Sequence, residues 1–356
     1  MGYTDTRMAR GAARGMAAFW SFAVFGMAMA QTLPAPPPAP AGARNSVPSL
    51  APARPERSVS EWLERMHQAS RQRNYVGTLV MSTNTGAMAS ARIWHACDGD
   101  KQVERVESLT GAPRSTFRRN EEVVTFLPEV RVARSEKGGS HGLFPDLLKT
   151  NETSIPQFYS AQRVGGDRVA GFETDVVLLA PRDNLRFGYR IWSERKSGLA
   201  VKMQTLDLEG KVLEQAAFSE LQLDAPVRMD KLSQMMAATD GWRVEKTEPV
   251  RTSAEMEGWQ LKSGVAGFKP VNCYKRPAGV APAPDGNMQW IFSDGLASVS
   301  LFLEPYDRQR HLHEGMFSSG ATQSLTRRVQ DWWLTAVGEV PPQTLKAFAQ
   351  NLERRK

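Results

Sequence analysis

The sequence predicts an α+β protein, with one large, curled antiparallel sheet covered by helices and then a smaller α+β domain. Three observations carry this. From Tyr75 to Leu223 apolar residues alternate with period two in many short runs, separated by Gly, Pro, Asn-Glu and Asp-Gly turns. No regular helical pattern lies between those runs, which marks a meander and not βαβ units. Ser58-Val59-Ser60-Glu61 opens a helical stripe just ahead of the sheet, and Met288 to Pro305 reads as a hairpin resting on a separate core.

The helix comes first. Ser58 and Glu61 fit the capping box, in which hydroxyl and carboxylate each satisfy a free backbone N–H. Trp62, Leu63, Met66 and Ala69 then share one side. Strands follow at Tyr75–Met81, Ala89–His95, Gln102–Leu109, Thr116–Arg119, Glu121–Leu127 and Glu129–Arg134. After a more helical or irregular insert, Gly142–Gln162, they resume at Thr174–Leu179, Arg186–Glu194, Leu199–Asp207 and Lys211–Leu223. A sheet of about ten strands curls or partly closes, and something must fill its concave face. The Ser58 helix and the Leu143–Tyr159 insert are the candidates.

Residues 58–228 make the first domain on this reading, 229–257 a linker that loses the pattern, and 258–356 the second domain. In the hairpin, Asp294-Gly295 predicts a two-residue type I′ turn, with Phe292 opposite Ala297, Trp290 opposite Val299 and Met288 opposite Leu301. Further strands are expected at Phe268–Lys275, Thr322–Val329 and Trp332–Val337. Pro341-Pro342 followed by Leu345, Phe348, Ala349 and Leu352 predicts a packed terminal helix.

The N-terminal segment predicts the compartment. Arg7, Arg10 and Arg14 precede the apolar run Met16–Met29, and Ala28-Met29-Ala30 fits a signal-peptidase site. Residues 1–30 therefore read as a cleaved secretory signal, with an uncleaved anchor as the alternative and the periplasm as the destination. No Cys follows the site, which excludes a lipoprotein anchor. Residues 31–57 form a Pro/Ala-rich leader too poor in large apolar side chains to fold by itself. The 356 residues carry 45 Lys+Arg against 38 Asp+Glu, net +7. There is no long basic block, zinc-finger spacing or RNP-like motif, so nucleic acid is not the expected partner; anionic lipid or an acidic protein segment is.

Several segments resemble the MucB/RseB family of periplasmic stress regulators. They are Asn74–Val80, the run His95…Glu104–Arg114, Phe126-Leu127-Pro128, Phe218–Pro226, Phe292–Ser300 and Val337–Pro342. The resemblance implies a half-open antiparallel barrel like the lipoprotein carriers LolA and LolB, followed by a small α+β domain. It also implies a non-enzymatic regulator without a cofactor. Such a protein binds the periplasmic domain of an RseA/MucA-like anti-sigma factor, shields it from the site-one protease, and is released by lipopolysaccharide or another acylated lipid. A periplasmic lipid or lipoprotein carrier is the alternative, and the sequence leaves room for a homo-oligomer.

On this reading Tyr75, Phe126, Phe144, Tyr189 and Trp192 are candidates to line a lipid cavity. Arg118 and Arg131, with Arg119 and Arg134, offer charge to headgroups. Trp290, Phe292, Leu296 and Trp333 are candidates for the partner surface. Competing chemistry is thin. Gly138–Gly142 matches G-x-S-x-G around Ser140, but Ser135-Glu136-Lys137 before it and Pro145 after it do not make the strand–turn–helix that a nucleophile elbow needs, so no catalytic residue is assigned. His311-x-His313 lacks further ligands at metal spacing, so no metal site is assigned either. Cys97 and Cys273 fall in different expected domains. The compartment permits a bridge, and separate buried thiols are the simpler reading.

Overall fold

A computed structural model describes residues 57–120, 122–137, 154–247, 250–275 and 288–355. The expected signal segment, the Pro/Ala leader up to residue 56, the Ser140 motif, Phe144 and the Ala278–Asp285 loop lie outside the described residues.

Helix α1 (Val59–Gln72) begins as its capping box predicts. Glu61 N–H donates to Ser58 Oγ at 3.2 Å, and Ser58 N–H donates to Glu61 Oε2 at 2.6 Å. Its apolar stripe is buried and shares one core with Tyr75, Leu79, Ile93, Ile191 and Phe218 of the sheet. Two meanders build that sheet. The first comprises β1 (Tyr75–Thr83), β2 (Met88–Asp98), β3 (Lys101–Ser108), β4 (Ser115–Arg119), β5 (Glu122–Leu127) and β6 (Val132–Lys137). The second follows helix α2 (Ile155–Phe158) with β7 (Tyr159–Val169), β8 (Phe172–Pro181), β9 (Gly188–Glu194), β10 (Ala200–Leu206) and β11 (Val212–Leu223). Pairing of β1 with β11 joins them, and a Cβ on Gly77 there would lie 2.6 Å from the Phe218 ring, so only glycine fits that crossing.

Among the described residues the sheet has 12 strands, with β12 (Arg243–Thr247) added at one edge, in the order β12-β6-β5-β4-β3-β2-β1-β11-β10-β9-β8-β7. Among the described residues its rims, β12 and β7, do not pair with each other, so the first domain is a half-open barrel with α1 in its concavity. Two expectations change here. The insert ends sooner, because β7 is a strand despite Gly165-Gly166 and a bulge at Val164 against β8. The span expected as a linker is built into both domains. Helix α3 (Met229–Ala237) buries Leu232 against Ala96 and Val103, and Met236 in a separate cluster with Phe117 and Phe126. β12 (Arg243–Thr247) joins the first sheet parallel to β6, and β13 (Val250–Arg251) joins the second sheet.

That second sheet has seven strands among the described residues. β15 (Lys269–Lys275) pairs with β13 and with β16 (Met288–Ser293), which pairs with β17 (Ser298–Pro305). β20 (Trp332–Gly338), β19 (Thr322–Val329) and β18 (Gly315–Ser319) complete it. The terminal helix α4 (Pro342–Asn351) packs Leu345 and Phe348 onto its apolar face. A small two-stranded sheet, β14 (Trp259–Leu261) with β21 (Leu352–Arg354), ties the start of the domain to its end.

The hairpin forms, but its register differs from the expectation by two residues. Phe292 pairs with Val299, Trp290 with Leu301 and Met288 with Leu303. Only Gly295 has positive φ, at 103°, so this is not a type I′ turn. Asp294 Oδ1 accepts the N–H groups of Leu296 and Ala297 at 2.9 and 2.7 Å, which lengthens the loop. An even shift keeps every side chain on its face, so the apolar side still meets the core.

Candidate functional site at the domain junction

The tip of this hairpin is where the two domains meet. Arg186, in the loop between β8 and β9, is fully buried, and so is Asp294. Arg186 Nε donates to Asp294 Oδ2 at 2.6 Å, Nη1 to Asp183 Oδ2 at 2.5 Å and Nη2 to the Ala266 carbonyl at 2.6 Å. Its guanidinium lies between Phe158 of the first domain and Phe268 of the second, 4.2 and 4.9 Å from the ring centroids. Tyr159 O–H donates to the same Asp294 Oδ2 at 3.3 Å. Burial pushes the Tyr159 and Tyr189 phenols well above their usual range, so both stay neutral here. Gly267, at φ +81°, lets the backbone come this close, since a Cβ would fall 2.0 Å from Arg186 Nη2.

Apolar contacts reinforce the clasp in both directions. Leu296 of the hairpin packs on the core of the first domain, and Leu185 packs on the core of the second. Thr344 Oγ1 of α4 donates to the Leu185 carbonyl at 2.7 Å. Each of the three Arg186 guanidinium nitrogens thus makes a bond, and a buried ion pair held in this way resists separation because neither charge has water to fall back on.

A second feature lies on the first domain, beside α1. His67, Arg71, Tyr75, His95, Glu104 and Arg118 line a cavity of about 390 Å3. The His95 ring stacks on Tyr75 at 4.9 Å, and Arg118 Nη1 lies 3.6 Å from Glu104 Oε1. The candidate lipid residues divide between places. Tyr75 and Arg118 reach this polar cavity. Tyr189 and Trp192 are buried in the core under α1, and Trp192 Nε1–H donates to Asp167 Oδ2 at 2.9 Å. Phe126 sits in the separate cluster with Phe117 and Met236.

Of the headgroup arginines, Arg118, Arg119 and Arg134 are paired with Glu104, Glu122 and Glu245. Arg131 is exposed, at a left-handed φ of 49°. The set is therefore no single charged patch, and the concavity expected for acyl chains is filled by the stripe of α1.

The partner candidates change in the same way. Trp290, Phe292 and Trp333 are buried within the second domain, and Leu296 is held at the junction, so none of them is displayed to solvent as an open surface. Trp333 is covered by His311, whose ring stacks on it at 4.8 Å. His311 Nδ1 accepts the Asp307 N–H and Nε2 bonds Glu304, so both ring nitrogens are occupied. Cys97 and Cys273 are free, and burial raises the Cys273 thiol to about 11.

Comparison with known proteins agrees with this architecture. The MucB/RseB N-terminal domain matches residues 58–236, and the MucB/RseB C-terminal domain matches 253–353. Sigma factor AlgU regulatory protein MucB of Pseudomonas aeruginosa is 28% identical over 312 residues, 85% of this chain and 92% of that protein. Sigma-E factor regulatory protein RseB of Escherichia coli K12 is 26% identical over 82% of this chain and 89% of its own length. The solved complex of Pseudomonas aeruginosa MucA and MucB superposes with a TM-score of 0.63 at 26% identity, covering 83% of this chain and 99% of that one. With a matched model for each domain, in the order the fold shows, the chain belongs to the MucB/RseB family.

Proposed function

We propose that this protein is a periplasmic negative regulator of an extracytoplasmic-stress sigma factor. It binds the periplasmic segment of a membrane-spanning anti-sigma factor and shields that segment from regulated proteolysis. The observation that carries the reading is the presence of both family domains in one chain, aligned over 92% of a relative named as a sigma factor regulator. The complex of the related MucB with MucA supports a protein partner of the same kind. The role is binding, not catalysis. The junction made by Arg186 and Asp294 fixes how the two domains face the partner, and residues such as Trp290, Phe292 and Trp333 act by shaping that face from beneath.

We further assign the release signal to lipopolysaccharide or another acylated lipid, acting on the first domain. The apolar floor under α1, with Tyr189 and Trp192, would receive acyl chains if α1 shifts, and the Tyr75–Arg118 cavity beside it would receive a polar headgroup. The test is a pull-down of the mature protein, from Gln31 onward, on the immobilised periplasmic segment of the host's anti-sigma factor, with and without lipopolysaccharide. Saturable capture that lipid reverses supports the regulator. Failure to bind the segment, with lipid still retained, points instead to a lipid carrier.

A further inference from the structure

The second sheet ends on β18, and the backbone of that strand has a side with no partner among the described residues. β18 and β19 join through Gly320-Ala321, with Ser319 paired to Thr322. Gly320 takes the positive φ, at 59°, as the first central residue of a two-residue hairpin. The closing pair of such a hairpin exchanges both its hydrogen bonds, and bonded and unbonded pairs then alternate along the ladder. Phe317 and Gly315 therefore bond to Ser324 and Thr326, while Met316 and Ser318 turn their N–H and C=O groups away from β19.

The outer strands β7, β12 and β13 carry protection that β18 lacks. β7 is interrupted by its bulge at Val164 and bears Arg163, Asp167 and Arg168. β12 bears Arg243, Glu245 and Lys246, and β13 is two residues long and bears Arg251. Charges, bulges and brevity of this kind keep a sheet from adding a further strand. β18 reads Gly-Met-Phe-Ser-Ser, without charge, proline or bulge, and the Phe317 side chain at its centre is 54% exposed. The edge also leads to the first domain. A Cβ on Gly320 would lie 2.8 Å from Thr83 Cγ2 and 2.9 Å from Glu214 Oε2, so the β18–β19 turn rests on the paired ends of β1 and β11. Met88, opposite Ser82 of β1, is exposed beside that end.

We propose that β18 is a strand-addition site whose occupant is an extended, largely uncharged stretch of the anti-sigma factor's periplasmic segment, which rests on the regulator reading above and adds where that partner is held. Main-chain bonds to the outward groups of Met316 and Ser318 supply the pairing, and an apolar side chain of the partner covers the Phe317 ring. The added strand follows β18 from the rim of the second domain to the β1–β11 end of the first. It thus spans the two domains that the Arg186–Asp294 clasp holds together.

Hydrogen exchange of the mature protein, alone and saturated with the periplasmic segment of the host's anti-sigma factor, reads the outward amides directly. Alone, Met316 and Ser318 should exchange fast while Phe317, bonded to Ser324, is protected; in the complex both should slow by about tenfold or more. Ser318→Pro is the matched variant, since it removes an outward N–H and leaves the bonds to β19 in place. It should weaken capture of the segment by about tenfold or more with little change in the urea midpoint. Phe317→Lys, which puts a charge on the edge, should weaken capture as well. Fast Met316 and Ser318 amides in a saturated complex overturn the proposal, and so does wild-type affinity in a folded Ser318→Pro protein. Protection of both amides that grows with protein concentration, without the segment, also overturns it by naming a second copy as the occupant. If the wild type captures no segment at all, the regulator reading itself fails and the strand-addition site falls with it. If Ser318→Pro does not fold, exchange in the wild-type complex decides alone.

Discussion

Arg186 and Arg118 are both arginines held against carboxylates inside the protein, and their surroundings diverge. Arg186 and Asp294 have no exposed surface, and between them they meet Asp183, Tyr159, the Ala266 carbonyl and two hairpin N–H groups. Arg118 and Glu104 keep 13% and 11% of their side chains exposed and border a cavity of about 390 Å3. The first pair is sealed between two domains and fixes their relation. The second lies open to a polar space on one domain, where water or a ligand group can replace a lost partner. Similar chemistry thus serves a clasp in one place and a binding wall in the other.

The comparison breaks most readily at Arg186. Arg186→Ala leaves the Asp294 carboxylate buried and without its cation, so it should lower unfolding stability by about 3–5 kcal/mol. The shift of the urea midpoint measures this. Arg118→Ala should cost less, about 1–3 kcal/mol, because solvent reaches Glu104 through the cavity. Equal losses in the two variants would show that the cavity offers Glu104 no relief. Tyr159→Phe removes one of several bonds to Asp294 and should cost about 1 kcal/mol in the same assay. Asp183→Ala should cost the least, about 0–1 kcal/mol, since 31% of the Asp183 side chain is exposed.

Much of the scaffold was legible in the chain because it depends on neighbours in sequence. The Ser58–Glu61 cap, the alternation in β1 to β5 and the apolar face of α4 are local patterns with local causes. The strand β7 was obscured by Gly165-Gly166, whose flexibility reads as loop, although β8 pairs with it from Tyr159 to Val169 across a single register shift. β12 was obscured because a parallel partner across the chain leaves no turn signal. The hairpin shows the limit most plainly. Its faces followed from alternation, but its register depended on what the Asp294 carboxylate bonds, and part of that answer is Arg186, 108 residues away. Trp290, Phe292 and Trp333 looked like partner contacts because large aromatics serve cores and interfaces alike. Only the packing of His311 and α4 around them separates the two.

The central claim is that the clasp sets the two domains for capture of the anti-sigma segment. Calorimetric titration of that segment into mature wild-type protein and into Arg186→Ala, both checked for native near-ultraviolet circular dichroism, tests it directly. The account predicts that breaking the clasp weakens the dissociation constant by at least about tenfold, or 1.4 kcal/mol, while both cores stay folded. Unchanged affinity and enthalpy in a folded Arg186→Ala protein would contradict it, placing capture within a single domain and leaving the junction a matter of stability alone.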